Sequence, residues 1–557
     1  MYRRIGWQVL LVGAGFLLTA AFLVYLASTY TTEFRPAPGG TYIEGVVGSP
    51  QSLNPLLSYY NDADGDVTSL VFSGLTRVGM RGEVEPDLAE SWEIDPSGIT
   101  YTFRLNRNVL WHDGSYFTAR DVVFTLGLLQ DPDYPGPPDI GQLWRSIRIE
   151  QLEDYSVQMV LTEPFAPFLD YTTVGILPQH ILSDLHVADL ASSASTRSPV
   201  GTGPFRLTET QVEAGQITKV VLRRFPRYYG TPPLLESVVL QFYPTPRAAL
   251  EAYEEGLVEG VSRITLDLLP EAYSLPSLNL YSAPMAEMVM LYLNHAVTET
   301  LTFNDARVRQ ALLYSMDRQG IVDAVLAGQA LVPGSPSLPG TWAYSTAGIP
   351  QYAPDPQMAV SLLKEVGWQR EAADGPLVNV AGEPFAFTLT VSNEPADLAV
   401  ATEIVSHWAR VGISATVQTV PPLALSAVLD SRAYQAVVAH LVIPGDPDPY
   451  PFWHETQVLP GQGQNYAGFE HRRISEIAEQ ARMTMVRDER LALYAEFQRL
   501  FMEELPAIPL YVPVYTYGLD SRVSGGQLAP LMRTGDRYIT VSEWYILQRR
   551  VVASLRE

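Results

Sequence analysis

Apolar and polar residues follow one another along this chain in three registers. Residues 6–28 carry no charge at all. At ~1.5 Å per residue a helix of that length spans about 34 Å, enough for a hydrocarbon core of ~30 Å. Arg3 and Arg4 ahead of it place the N-terminus in the cytoplasm. Tyr25, Leu26 and Ala27 make a poor small-residue cleavage site, so the span reads as an uncleaved anchor in preference to a cleaved secretory signal. Both readings put the chain from Thr31 onward outside the cytoplasm, with residues 29–37 opening a Pro/Gly-rich tether, TTEFRPAPGG.

Beyond the tether the pattern alternates between periods of two and of 3.6. Residues 42–47, SWEI, TYTFRL, 385–391 and 413–420 read as strands, and DPSG between the second and third is a turn. Thr118 and Asp121 make a capping-box start for a helix whose Val122, Val123, Leu126 and Leu129 share a face. Other predicted helices are 248–255, stopped by Gly256; one capped by Asn304 or Asp305; one with Asp355 as cap and Pro356 in its first turn; 474–483; and 490–504. A helix over 396–411 between the strands 385–391 and 413–420 makes a βαβ unit, hence a parallel sheet in that region. An apolar run at 434–442 reads as a buried strand.

That strand opens into GDPDPYPFWHETQVLPGQGQNYAG, residues 445–468, where four prolines forbid regular helix or central strand. The stretch carries Tyr450, Phe452, Trp453 and Tyr466 with Asp446, Asp448, His454, Glu455 and Asn465, and no Lys or Arg lies between Arg432 and Arg472. Rigid aromatics and a few polar groups at the end of a strand suit a ligand cleft. They equally suit an Ω-loop packed on its own aromatics.

Composition narrows the function. A chain of 557 residues calls for two or three domains. The formal charge of −24 argues against nucleic acid and anionic membrane surfaces as partners. The absence of cysteine excludes disulfides, Cys-based zinc sites, Cys nucleophiles and a lipid-modified N-terminal Cys. There is no G-x-S-x-G, Walker A, H-E-x-x-H or G-x-G-x-x-G after a strand, and the eight His residues are scattered. No enzyme, cofactor or metal site is expected.

The motifs SLNP at 52–55, LVFSGLTR, DLAESWEI at 87–94, YTFRL at 101–105 and WHDG with FTARDVVFT occur in order. VGTGPFRL at 200–207, LYLNH at 291–295, FNDARVRQALLYSMDRQGIV at 303–322 and DPDPYPFWHETQ at 446–457 follow. Together they resemble the peptide/nickel class, family 5, of extracytoplasmic solute-binding proteins of ABC importers. The resemblance implies an α/β, two-lobed periplasmic-binding-protein-like fold (type II, cluster C) with an extra inserted domain, here preceded by an N-terminal transmembrane helix. It implies a discontinuous first lobe (38–74, 200–288 and 511–557), an insert (75–199) and a second lobe (289–510), after a cytoplasmic n-region (1–5), anchor or signal (6–28) and tether (29–37). Crossovers are expected near 289–293 and 508–515.

In peptide-binding members an Asp of the equivalent loop pairs with the ligand's α-amino group. Aligning Asp448, Pro449 and Phe452 puts Gly445 at that position, with Asp446 next to it. Asp446 is therefore the first choice to accept a cationic or hydroxyl-rich ligand end, since a buried carboxylate needs a partner and the neighbouring sequence offers none. Trp453 either stacks on ligand or lies in the core under the loop. Tyr59, Tyr60 and Asn61 either reach the cleft from the first lobe or pack on the insert. Trp342 and Tyr344 lie in a Pro/Gly-rich loop that the resemblance puts near ligand, and Asp448, Tyr450, His454, Asn465 and Tyr466 complete the expected site. Trp111, His112, Asn294 and Arg307 read as structural. The function so implied is capture of a small peptide or similar solute, by a monomer, for delivery to an ABC permease. Alternatives are the same fold used for oligosaccharides, or as a surface sensor or chaperone; a surface hydrolase is a third.

Overall fold

A computed structural model describes residues 2–30, 32–190, 198–296, 303–370, 372, 375–461 and 463–552, with backbone alone at 2–6, 8–11, 26–30, 32–33 and 551–552. Most of the described strands join in one sheet of twelve. From one edge its order is Ser414–Val420, Ala386–Ser392, Ala436–Val442, Glu287–Leu293, Ala507–Asp520, Gly260–Val261, Thr41–Val47, Ser237–Tyr243, Gln216–Arg224 and Phe205–Glu213. Leu278–Pro284 and Ala330–Leu331 add to the long strand Ala507–Asp520. The central strands read as continuous apolar runs, not alternating ones, because they are covered on both faces. Met288 to Leu293 and Ala436 to Ala439 are all buried.

The predicted βαβ unit is present. Ala386–Ser392 and Ser414–Val420 pair in parallel, and the helix Pro395–Arg410 between them buries Val400, Ala401, Ile404, His407 and Trp408. Their spacing is that of one helical face. Asp305, not Asn304, caps its helix, and Asp355 caps Pro356–Glu365.

A separate antiparallel layer, in the order Ala89–Ile94, Thr100–Leu105, Ser156–Val160, Arg148–Glu153, lies beside the first half of the sheet. The Thr118–Asp121 capping box starts the helix Ala119–Gln130 that packs on it. The layer is pinned to the sheet by His112. Its Nδ1 accepts from the Gly201 N–H at 3.2 Å and its Nε2–H donates to the Gly203 carbonyl at 3.0 Å. Burial holds this ring neutral, with its pKa pushed down to about 4. Gly201 must be glycine: a Cβ there would sit 1.9 Å from the Val71 carbonyl oxygen. The WHDG and VGTGP motifs are thus one lock.

One expectation is corrected. The tether is not a free linker: Thr32–Ala37 forms a strand antiparallel to Leu547–Val552, with Ala37 opposite Leu547. Its partner comes from the other end of the chain, so the Pro/Gly content near residue 36 hid it. The apolar N-terminal stretch is helical over Tyr2–Tyr30. Its described side chains from Val12 to Tyr25 are exposed. Among the described residues no helix is long and apolar enough to cross a membrane. Arg3, Arg4 and Thr31, on which orientation rests, lie outside the described side chains.

Candidate ligand-binding site

Strand direction locates the site. Ala507–Asp520 runs from the second half of the sheet into the first. Ala436–Val442 is parallel to it, since both are antiparallel to Glu287–Leu293. Thr41–Val47 is antiparallel to it, since it parallels Gly260–Val261, which is antiparallel to the long strand. The carboxyl ends of the parallel strands in both halves therefore point at the junction between them. In open α/β sheets, ligands bind outside such strand ends.

From the second half, that junction receives His440, near the end of its strand, and Asp397, in the first turn of the helix Pro395–Arg410. Glu287, where the neighbouring strand begins, completes the group. The His440 ring donates from Nδ1 to Glu287 and from Nε2 to Asp397, the latter at 3.2 Å. Burial disfavours the imidazolium, but the two carboxylates outweigh it and push the pKa up to about 10. The trio so carries one net negative charge. In the first half, Tyr59 and Tyr60 are 40% and 65% exposed, and both lie close enough to the insert's Tyr134 to help raise its pKa. Arg533 lies over the Tyr59 ring at 5.1 Å. Arg263 is also exposed, close enough to Asp62 to offset part of the burial that raises that carboxyl's pKa.

The expected centre of the site, the 445–468 loop, is instead tied into the protein. Asp446 is buried, with Arg490 Nη2 at 2.5 Å on one oxygen and the Tyr494 hydroxyl donating to the other at 2.7 Å. Asp448 takes Arg482 at 2.7 Å and accepts from the Tyr450 N–H at 3.0 Å. Both guanidiniums come from later helices, Arg472–Met483 and Arg487–Glu504, beyond the loop's neighbouring sequence. Trp453 takes the core reading: it is 3% exposed, stacked on Tyr292 and edge-on to Phe501. His454 is buried against Glu479 at 3.0 Å. Asn465 donates to the carbonyls of Phe469 at 2.7 Å and His454 at 3.3 Å. Tyr450 stacks on His454 beneath Arg482, and Tyr466 lies under Arg432. Prolines do not forbid all helix here, since Tyr450–Trp453 makes one turn. The Ω-loop reading describes this segment.

The remaining expected residues divide. Asn61 caps the helix Asp62–Val71, accepting from the Ala63 N–H at 2.9 Å. Trp342 is buried and donates from Nε1 to the Gly445 carbonyl at 3.2 Å, and Tyr344 is half-buried nearby. Of the expected set, Tyr59 and Tyr60 are exposed. Glu287, Asp397 and His440 were missed. The available signal was His440 itself, the one ionisable residue in the apolar strand AVVAHLV.

Elsewhere, Ser115, His180 and Asp113 form an exposed cluster. Both partners meet the same His180 Nε2, at 2.9 and 2.7 Å, so the ring cannot relay a proton between them. Among the described residues no group of three or more His, Asp or Glu could hold a metal ion.

Comparison with known proteins agrees with this architecture. The chain is 27% identical to the oligopeptide-binding protein AppA of Bacillus subtilis over 521 residues, 92% of each chain. It is 26% identical to the dipeptide-binding protein of Escherichia coli over 494 residues, covering 83% of this chain and 87% of that one. Among solved structures it superposes on AppA in complex with a nonapeptide with a TM-score of 0.66 at 26% identity, covering 92% of this chain and all of that one. NikZ from Campylobacter jejuni, in complex with Ni(L-His), gives 0.68 at 26%, covering 91% and 99%. Residues 83–459 match the profile of the bacterial extracellular solute-binding proteins, family 5 Middle. This chain belongs to the family 5 bacterial extracellular solute-binding proteins.

Proposed function

We propose that the protein is the extracytoplasmic substrate-binding subunit of an ABC importer, closing two lobes on a peptide and delivering it to a membrane permease. The observation that carries this reading is the junction, where the strand ends of both halves point toward each other beside the Glu287–His440–Asp397 group. We assign the lobes as 38–74 with 200–288 and 511–557, an insert at 75–199, and 289–510. Two separate apolar cores support the division, changing over between residues 283 and 286 and between 512 and 515. The relatives' oligopeptide and dipeptide ligands support a peptide. Its ammonium end suits the net negative trio, and its carboxylate suits Arg263 or Arg533 on the facing lobe. The buried loop residues Asp446, Asp448, Trp453, His454 and Asn465 then form the wall behind the ligand.

The N-terminal helix is the membrane anchor in this reading, supported by the uncharged stretch 6–28 and the exposed apolar side chains Phe16, Leu17, Phe22 and Leu23. Fractionation tests it: full-length protein should resist extraction at alkaline pH, and protein lacking residues 1–30 should not. Native mass spectrometry of purified protein should find bound peptide. Asp397→Asn should weaken binding of that peptide by about 1.5 to 3 kcal/mol, the worth of a hydrogen bond to a charged group. A protein that retains no peptide, or a variant that binds as the parent does, rejects the assignment.

A further inference from the structure

The second lobe touches the inserted layer through the segment that follows the strand Ala436–Val442. The Trp342 N–H donates to the Arg81 carbonyl at 3.0 Å, and the Ala166 N–H to the Arg482 carbonyl at 2.7 Å. Between these two bonds lies Asp170, in the insert's short helix Phe168–Tyr171. Its Oδ1 is packed so tightly against residue 445 that a Cβ there would approach to 2.6 Å, which accounts for Gly445. Asp446, the next residue along, raises the Asp170 pKa as a neighbouring charge, and Arg490 partly offsets it.

The charges at this contact do not balance. Asp170, Asp446 and Asp448 are three carboxylates, and among the described residues two guanidiniums are paired with them: Arg490 on Asp446 and Arg482 on Asp448. Tyr101 and Tyr171 from the insert and Tyr494 from the second lobe also face the group, all held un-ionised by burial. Asp139 adds to the negative field on Tyr171. Arg487 is exposed, over the far side of Trp342 at 5.1 Å. The cluster closes neutral if one carboxyl carries a proton, and Asp170 is the one without a guanidinium on it.

We propose that the Asp170–Asp446 contact is a proton-operated latch between the insert and the second lobe, shut with Asp170 protonated and released when it ionises. Burial, and then the Asp446 charge, push the Asp170 pKa up to about 8 in the closed contact. Opening returns it to water and to the ordinary carboxylate range. The closed state therefore binds the extra proton, is fully favoured below that ordinary range, and loses the advantage as pH rises toward 8. The latch rests on the two-lobe closure proposed above but needs no ligand.

The test uses the full chain, which has no cysteine of its own. Spin labels go on Thr162→Cys in the insert and Met483→Cys in the second lobe, both exposed. Distance distributions are recorded without added ligand from pH 5 to 9.5. One proton per closure predicts an open-to-closed ratio rising roughly tenfold per pH unit across the window below about 8. Asp170→Asn, the neutral isostere, should stay closed throughout. Asp446→Asn, which leaves Arg490 to Asp170, should lose the pH response as well. A parent whose distances do not change with pH, or an Asp170→Asn variant that opens as the parent does, overturns the latch. Peptide retention in native mass spectra is read separately, so loss of the latch and loss of the peptide assignment give different results.

Discussion

Arg537 is fully buried, and its guanidinium reaches Glu44 at 2.8 Å and Asp66 at 2.5 Å. Tyr42 and Tyr517 donate to the same Glu44 carboxylate, at 2.9 and 3.0 Å. Removing the one cation leaves two buried carboxylates without a counter-charge. Arg537→Met should therefore cost about 3 to 5 kcal/mol of folding stability in urea unfolding. A loss under ~1 kcal/mol would show that the first lobe relaxes around the site. His440 makes a gentler residue-scale prediction, because it is 38% exposed and solvent screens its partners. Its pKa is raised from the free imidazole's, so its stabilisation is complete below about pH 6.5 and lost as pH climbs toward 10. Between pH 7 and 10 the parent's melting temperature should fall further than that of His440→Gln. Parallel curves for the two proteins would show that the trio contributes no pH-dependent stability.

Among elements, the ribbon of Thr32–Ala37 on Leu547–Val552 changes where the folded protein begins. Cutting at residue 37 removes one strand and exposes the backbone of the other as an unpaired edge. Protein lacking residues 1–30 should be as resistant to proteolysis at its C-terminus as the full chain. Protein lacking residues 1–37 should be clipped there faster, with the core intact. Equal digestion of the two would mean that the ribbon adds no protection. The His112 lock operates at the same scale. Gly201→Ala would drive a methyl group into the Val71 carbonyl and part the insert from the helix Asp62–Val71. The expected result is a second, earlier unfolding step in calorimetry.

The whole molecule has two large cores joined by crossover strands, and ligand bound between them stabilises the closed arrangement by its differential affinity. Peptide at a hundredfold its Kd should add about 2.7 kcal/mol to stability and reduce the radius of gyration in solution scattering. The change should be larger at pH 9, where the Asp170 latch is released, than at pH 6. Identical scattering curves with and without peptide at both pH values would refute closure.

The sequence by itself determined the elements and the family. Capping residues, periodic apolar faces and ordered motifs are local, so Asp355 ahead of Pro356 and Thr118 with Asp121 specify their helices wherever they sit. It also showed that the 445–468 loop was unusual and that its buried carboxylates needed partners. Which partners they took was decided by tertiary structure. Arg490 lies 44 residues beyond Asp446, and Arg537 lies 493 beyond Glu44. Whether Trp453 meets ligand or core depends on Tyr292 and Phe501, and whether residues 32–37 are a tether depends on the last strand. Burial and ion pairing are properties of a surface made by distant segments, and no window along the chain contains them. The same holds for the site: Glu287, Asp397 and His440 come together only because antiparallel and parallel pairing bring one strand's start beside the other strands' ends.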